Sequence, residues 1–278
     1  MKSGKARGLH ASLRLLAGLF IGLVSQASAW AFGSGVKVWL PEGASTTASL
    51  IDGIFYTILA ITGIAFILVQ ATLVFFLIKY RRRPGQAATY IHGNHLVEVI
   101  WTAIPAIILV ALAFYSQRVW SYVRGTPPSA DVQVEVIAQQ FAWNIHYPGA
   151  DNIFGKTDPA LIDEAGNPIG LDKNDPNAKD DIVTVNQLHV PVGKTVLIRL
   201  KSKDVIHSFF VPQFRMKLDA VPGITGHLWV SATKAGNYEV ACAELCGNSH
   251  YRMRAFLVID TPDDFQKWLN ETLAEQNA

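Results

Sequence analysis

Charged residues are scarce in this sequence. They make up 17% of its 278 residues, whereas a soluble protein usually carries about 25%. The shortage argues against a wholly soluble chain and indicates that some segments lie in a membrane. The formal net charge is only +2, yet residues 1–118 are basic and residues 119–278 are acidic. This asymmetry indicates two environments and is compatible with a basic partner.

Cysteine is scarcer still, because the chain contains only Cys242 and Cys246. Two cysteines this close together allow three interpretations: a local disulfide, a redox-active dithiol or a metal site. The pair alone does not decide between them, so the neighbouring residues have to.

Acidic residues are absent from the first 14 positions, which hold four basic residues. An apolar run at 15–24 and small residues at 27–29 follow. This order is that of a secretory signal peptide. We therefore expect residues 1–29 to be removed, so that Trp30 begins the mature chain. An uncleaved signal anchor is the alternative.

Two long apolar segments follow. The first, 54–78, carries no charge and exceeds the roughly 20 residues that a membrane-spanning helix needs. The second, 96–116, contains Pro105, which membrane helices tolerate. The basic cluster at 79–83 is expected on the cytoplasmic side. Residues 30–118 should therefore form an exported N-terminus and a two-helix membrane hairpin.

Glu98 places a carboxylate near the start of the second apolar segment. An ionisable residue inside a membrane segment is a functional candidate by default. The simpler alternative is an interfacial carboxylate that reaches water.

Residues 119–278 are expected to form an exported β-rich domain. Val132, Val134 and Val136 begin a period-two alternation that recurs in short segments separated by Pro and Gly turns. This pattern predicts a β-sandwich or barrel. A helix is expected after Thr261.

Residues 148–181 interrupt the alternation. They are rich in Gly, Pro, Asp and Asn, and they carry eight acids against three lysines. We interpret them as a long acidic surface insertion. A solvated loop without a role and a docking surface are both open, because long loops are only sometimes functional.

One segment near the C-terminus gathers residue types that bind copper. Cys242, Cys246, His250 and Met253 follow the spacing Cys-x3-Cys-x3-His-x2-Met. Soft sulfur with imidazole suits copper, whereas ordinary zinc sites lack methionine. A mononuclear blue-copper site uses one cysteine, so two cysteines allow two thiolate bridges between two copper ions. A second terminal imidazole is then needed, and His207, which begins a strand-like run, is the best candidate.

The alternatives explain less of the pattern. A disulfide between Cys242 and Cys246 accounts for neither His250 nor Met253. A thiol-redox motif, as in a copper-assembly factor, normally lies at a strand–helix turn of a thioredoxin-like chain, and this domain lacks the helices. The residues therefore favour a dinuclear copper site.

The same segments resemble a known family. Four segments are similar to cytochrome c oxidase subunit II: residues 242–253, called the copper loop below, the run His207-Ser208-Phe209, the segment 217–223 and the helix motif 98–106. The resemblance covers the signal, both helices and the exported domain apart from the insertion. It implies a two-helix transmembrane hairpin followed by a cupredoxin-like Greek-key β-sandwich or barrel. It also implies a multi-pass protein of the bacterial inner membrane with its C-terminal domain in the periplasm.

The resemblance implies the ligands of a dinuclear copper centre of the CuA type. They would be two bridging thiolates, two terminal imidazoles, one weak thioether and one weak backbone carbonyl: Cys242, Cys246, His207, His250, Met253 and the carbonyl of Glu244.

Three carboxylates receive roles from the same resemblance. The Glu244 side chain would help to bind a Mg²⁺ ion shared with subunit I. Glu98 would stand at the entrance of a proton channel into subunit I. Asp204 would belong to an acidic docking face for cytochrome c.

One departure from the family concerns the point where electrons enter. The family usually has Gln-Trp-aromatic-Trp in the first strand, whereas this chain has Gln140-Phe141-Ala142-Trp143. Phe141 therefore stands where the electron-accepting tryptophan is expected, with Trp143 behind it.

The implied function is that of an oxidase subunit. The chain would accept electrons from cytochrome c or a membrane-bound cytochrome and pass them to haem in subunit I, with subunit III as a further partner. It has no haem-ligand pattern in its helices, so reduction of O₂ to water and proton pumping would occur in subunit I. No nucleic-acid partner is expected. The alternatives are the CuA subunit of another terminal reductase and a quinol oxidase subunit II, which has lost the metal.

Overall fold

The computed structural model describes residues 39–277. The predicted signal peptide, residues 1–29, and the predicted mature N-terminus at Trp30 lie outside the described residues. From Gly43 onward, two long helices precede a β-rich domain.

The two helices, α1 (Ala48–Lys79) and α2 (His95–Arg124), contain the predicted apolar segments. Both are long and apolar enough to cross a membrane, and hardly any of their side chains are buried. So much exposed apolar surface would be unfavourable in water, so lipid or a partner subunit has to cover it. Each helix extends beyond its predicted span, 54–78 or 96–116, because a helix can continue past the hydrocarbon core into the interface.

The start of α2 is capped. The Asn94 side chain accepts hydrogen bonds from the backbone N–H groups of Leu96 and Val97, at 3.0 and 3.3 Å. Glu98 lies in the first turn, where a negative charge suits the helix dipole. This end of α2 therefore begins at a defined residue, with Glu98 at its edge.

Residues 125–277 form the β-rich domain. Within the described part of the chain, ten strands are present: β1 (Val132–Gln139), β2 (Ala142–Tyr147), β3 (Ile182–Val185), β4 (Gln187–Pro191), β5 (Thr195–Ser202), β6 (His207–Val211), β7 (Met216–Ala220), β8 (Gly226–Ser231), β9 (Gly236–Cys242) and β10 (Arg254–Asp260). They form two five-stranded sheets, with the orders β3-β2-β1-β5-β8 and β4-β10-β9-β6-β7. Neighbouring strands are antiparallel except for the pairs β1–β5 and β4–β10.

One hydrophobic core lies between the sheets. Val134 of β1 pairs with Ile198 of β5, and each is at most 1% exposed. Trp143 of the first sheet meets Phe209 of the second edge-to-face, with ring centroids 5.6 Å apart. The architecture is a two-layer sandwich, so the predicted sandwich is confirmed and a closed barrel is not formed.

The insertion, residues 148–181, is held by its own carboxylates. The side chains of Asp175, Asp180 and Asp181 accept hydrogen bonds from backbone N–H groups within it. Its few apolar side chains form a small second core against Ile137 of β1. The segment therefore packs onto the first sheet, and a docking role for it stays a prediction.

The C-terminal helix, α3 (Pro262–Gln276), closes part of the core. Thr261 caps it by accepting a hydrogen bond from the Asp264 N–H at 3.2 Å. Trp268 packs edge-on against Tyr147 of β2, with centroids 5.3 Å apart. The helix expected after Thr261 is therefore part of the folded domain.

His146 of β2 links the first sheet to the insertion. Its side chain is fully buried, with Nε2 2.6 Å from Asp181 Oδ2 and Nδ1 3.7 Å from Glu135 Oε2. Burial by itself lowers the pKa of His146, but the two carboxylates more than offset this and hold the pKa above its usual range. The protonated imidazole therefore stabilises the folded domain.

We predict that His146→Gln lowers the free energy of unfolding by about 2 kcal/mol at pH 6, because a buried charged hydrogen bond is lost. The contribution of His146 is fully present below its unfolded pKa of about 6.5 and is lost as the pH rises through the higher folded pKa. The difference between wild type and variant should therefore shrink by pH 9. Denaturant unfolding followed by tryptophan fluorescence measures both values.

His227→Gln provides the control, because His227 is an exposed histidine of β8. It should change the unfolding free energy little at either pH. A penalty for His146→Gln that grows as the pH rises would contradict the assignment.

Candidate metal centre

The two cysteines lie close together without forming a disulfide. Cys242 ends β9, Cys246 follows in the next loop, and their Sγ atoms are 3.8 Å apart, whereas a disulfide bond is about 2.05 Å long. Both are free and buried. The structure therefore does not contain the disulfide between Cys242 and Cys246.

The register of the second sheet brings His207 to the same place. Phe209 of β6 pairs with Cys242 of β9, and His207 lies two residues before Phe209, on the same face of the strand. His207 Nδ1 is 3.9 Å from Cys242 Sγ. The ligand atoms of His207, Cys242 and Cys246 all lie within 4.8 Å of one another, the one such cluster of metal-binding side chains in residues 39–277.

The loop after Cys242 folds back onto it. The Cys242 N–H donates to the Met253 carbonyl at 3.1 Å, which closes the loop where β10 begins. His250 Nδ1 lies 3.6 Å and Met253 Sδ 3.8 Å from Cys246 Sγ. The carbonyl oxygen of Glu244 is 3.2 Å from Cys242 Sγ. The other four predicted ligand groups therefore surround the two sulfurs.

These separations suit ligands that share metal ions. Two atoms that each lie about 2.3 Å from one metal, the length of a zinc–thiolate bond, are about 3.8 Å apart in tetrahedral geometry. The sulfur–sulfur and sulfur–nitrogen distances here are 3.6 to 3.9 Å. Soft thiolate and thioether ligands together with imidazole suit copper, and a methionine thioether is absent from ordinary zinc sites. The cluster therefore fits a copper site.

The two thiols differ in acidity. Burial by itself raises the pKa of Cys242, but the His207 ring and neighbouring backbone groups lower it to about 6. Burial and the adjacent Cys242 sulfur raise the pKa of Cys246 to about 11. Because metal ligands must be deprotonated, metal binding has to displace the proton of Cys246.

Asp204 orients the His207 ring. Its Oδ1 lies 2.8 Å from His207 Nε2, which leaves Nδ1 facing Cys242. Its Oδ2 accepts a hydrogen bond from the Gln140 backbone N–H at 2.7 Å. A carboxylate on the remote nitrogen of a ligating histidine fixes the tautomer and the ring angle. From the sequence, Asp204 is predicted only to belong to a docking face, although an acid three residues before a candidate ligand is a usable signal for this contact.

The turn between β1 and β2 lies over the copper loop. The Gln140 side chain donates from Nε2 to the Cys246 carbonyl at 2.5 Å. Gly247 has φ +142°, and a Cβ there would lie 2.8 Å from Gln140 Nε2 and 2.9 Å from Phe141 Cζ. Glycine therefore lets the two segments approach this closely. Gln140 ties the loop to the first sheet and, through Asp204, to His207.

Phe141 and Trp143 lie at different depths. Phe141 is partly exposed and lies against Gly247 of the copper loop. Trp143 is fully buried, with its ring edge-on to His207 at a centroid distance of 6.2 Å. Of the two, only Phe141 both reaches the surface and lies against the loop.

The two remaining predicted carboxylates lie apart from the sulfur cluster. The Glu244 side chain is exposed on the copper loop. Glu98 lies at the start of α2, with its Oε2 3.9 Å from His95 Nδ1. Neither belongs to a second metal-binding cluster in the described residues.

Sequence families match both parts of the chain. Residues 31–119 match the family described as “Cytochrome C oxidase subunit II, transmembrane domain”. Residues 132–261 match the family described as “Cytochrome C oxidase subunit II, periplasmic domain”. Together the two matches cover more than half of the chain.

Individual relatives carry related names. The chain is 34% identical to “Alternative cytochrome c oxidase subunit 2” of Bradyrhizobium diazoefficiens, over 84% of this chain and 83% of that protein. It is 35% identical to “Cytochrome c oxidase subunit 2” of Thermostichus vulcanus, over 89% of this chain and 86% of that protein. A solved periplasmic domain of cytochrome oxidase subunit II from Bradyrhizobium japonicum is 26% identical, with a TM-score of 0.39, over 54% of this chain and 99% of that one.

We predict that Gln140→Ala weakens copper binding without unfolding the domain, because it removes the tether between the copper loop and the first sheet. The affinity should fall about tenfold, a typical cost of losing a contact that supports metal ligands. Competition with a copper chelator measures the change. Gln187→Ala, at an exposed glutamine of β4, is the control, and equal copper affinities for the two variants would refute the tether.

Proposed function

Because this chain belongs to the cytochrome c oxidase subunit II family, we propose that it receives electrons from a cytochrome at a dinuclear copper centre of the CuA type. The donor would be cytochrome c or a membrane-bound cytochrome. The electrons would pass to haem in subunit I, where O₂ is reduced to water with proton pumping. The observation that carries the proposal is the convergence of His207 with the sulfurs of Cys242 and Cys246.

The proposed ligands divide into two kinds. The Cys242 and Cys246 thiolates would be shared by both metal ions, and the two imidazoles would be terminal. The thioether and the backbone carbonyl would be weak ligands. When bound, the copper pair would take up and release one electron at a time. The terminal and weak ligands are His207, His250, Met253 and the Glu244 carbonyl.

The protein contributes a fixed and dry environment. His207, Cys246 and Met253 are each less than 5% exposed, so water is largely excluded from these three side chains. Asp204 holds the His207 ring, and the Cys242 N–H holds the end of the loop at Met253. Ligand atoms fixed in this way move little between redox states, which favours electron transfer.

Phe141 is the proposed contact for the electron donor. It is partly exposed, and it lies against Gly247, next to the buried Cys246. Asp204 lies at the same end of the domain, with its side chain 31% exposed. A basic donor would find a negative charge there beside an aromatic ring, although the Asp204 carboxylate is already engaged by His207.

Two carboxylates extend the proposal to subunit I. The exposed side chain of Glu244 would contribute to a Mg²⁺ site completed by subunit I. Glu98, at the start of α2 and about half exposed, would stand at the entrance of a proton channel of that subunit. Both proposals rest on family resemblance together with the exposure of the two side chains.

The chain is a membrane protein with a periplasmic C-terminal domain. We propose that α1 and α2 each cross the inner membrane once, with the basic cluster 79–83 in the cytoplasm. The proposed organisation is a signal peptide at 1–29, the hairpin within 30–118 and the copper domain at 119–278. Subunits I and III would be its partners in the membrane.

The other functions considered fit less well. The interpretation as a copper-assembly factor with a thioredoxin-like fold is wrong, because the exported domain is a β-sandwich. A quinol oxidase subunit II is not favoured, because all the proposed metal ligands are present in this chain. The CuA subunit of another terminal reductase is not favoured, because the relatives are named as cytochrome c oxidase subunits.

We predict that the purified oxidase holds about two copper ions in this subunit and that His207→Ala lowers its copper affinity by at least about tenfold, because a terminal ligand is lost. Elemental analysis and the rate of cytochrome c oxidation provide the readouts. His227→Ala removes an exposed histidine and should leave both unchanged. Full copper occupancy in the His207→Ala protein would refute the proposal that His207 is a copper ligand.

We predict that Phe141→Ala lowers kcat/KM for reduced cytochrome c about tenfold, the effect of truncating one central aromatic contact. The copper content should stay unchanged, and Phe141→Trp should retain activity. Phe256→Ala, at an exposed phenylalanine of β10, is the matched control. An unchanged kcat/KM for Phe141→Ala would place electron uptake elsewhere.

A further inference from the structure

A cavity of about 780 Å³ lies where the two helices meet the β-domain. One wall is the face of α1 that carries Ile54 and Ile58, one turn apart. The second wall is the face of α2 that carries Ala113 and Trp120, which lie two turns apart. Leu228 of β8 lies on the third side. The walls are therefore apolar, and two of them are helix surfaces.

The depth of the cavity corresponds to one leaflet of a bilayer. Along α1 its lining runs from Thr47 to Ile58, which is about 17 Å of helix. Half of a bilayer's hydrocarbon core is about 15 Å thick. Trp120 and Tyr122, at the end of α2 that leads into the β-domain, are exposed aromatic residues of the kind enriched at membrane interfaces.

The end of the cavity nearest the β-domain is positively charged. Arg124 ends α2, and its guanidinium donates to the Lys217 carbonyl at 3.0 Å, so both residues border the cavity together. Neither forms a salt bridge with a carboxylate of residues 39–277. Arg215 also lines the cavity, but Asp52 neutralises it at 2.7 and 3.0 Å. Two positive charges without a carboxylate partner in residues 39–277 therefore remain at the polar end, and the Arg124 guanidinium lies 5.6 Å from the centroid of the Trp120 ring.

We propose that this cavity binds one anionic phospholipid of the periplasmic leaflet. At least one of its acyl chains lies between α1 and α2, and its phosphate lies at Arg124 and Lys217. The length of the cavity along α1 matches one leaflet, as a lipid chain requires. The opposite charges of the phosphate and the two cations supply the selectivity for anionic lipid. The assignment to the periplasmic leaflet rests on the proposed membrane topology.

The test uses the intact oxidase in nanodiscs of phosphatidylcholine that contain a trace of phosphatidylglycerol with a photoreactive acyl chain. After irradiation, mass spectrometry should locate the label on cavity-facing residues of α1 and α2. A phosphatidylcholine probe with the same photoreactive chain should label these residues less. Arg124→Gln and Lys217→Gln should each reduce labelling by phosphatidylglycerol about fivefold, the contribution of one basic residue near anionic lipid.

Lys267→Gln removes an exposed lysine of α3 and should leave the labelling unchanged. Ala113→Trp, which fills the cavity without changing charge, should abolish it and serves as an independent variant. The proposal would be overturned by equal labelling by the two lipids or by labelling that the substitutions do not affect. It would also be overturned if the label were found only on another subunit. Copper content measured in the same samples separates this outcome from a failure of the proposed copper function.

Discussion

The pairing of β6 with β9 is the constraint on which the metal centre depends. The register that sets Phe209 opposite Cys242 also sets His207 on the face that looks toward the two sulfurs. A slip of one residue would turn His207 to the other side of the sheet. Phe209 packs on the buried Trp143 of the opposite sheet. The hydrophobic core that stabilises the sandwich therefore also fixes the distance between the imidazole and the thiols.

The remaining ligands depend on a short loop that is held from two sides. Its own ends are joined by the hydrogen bond between the Cys242 N–H and the Met253 carbonyl. The first sheet reaches over it through Gln140, which also contacts Asp204 behind His207. Both sheets thus contribute to one preorganised site. This arrangement explains how the protein can hold the two cysteine sulfurs close together before metal binds.

The sequence alone was enough to predict the parts that have a local pattern. The spacing from Cys242 to Met253 indicated a metal loop, and the long uncharged segments indicated both helices. The strands β4 and β7 were not among the predicted segments, although both alternate polar and apolar residues, because each is only five residues long and lies beside a turn. The roles of Gln140 and Asp204 in supporting the ligands were also missed. The contact of Gln140 with Cys246 joins residues that are far apart in the sequence, so it exists only after the sandwich has folded. Asp204 lies three residues before His207, so its contact could have been predicted from that spacing.

In the proposed centre, two copper ions would share one electron between the thiolates of Cys242 and Cys246. Electron paramagnetic resonance of the copper-loaded oxidase, recorded at a frequency that resolves copper hyperfine structure, measures how that electron is distributed. We expect the pattern of one unpaired electron spread equally over two copper nuclei. The pattern of an electron confined to a single copper nucleus would rule out the shared centre.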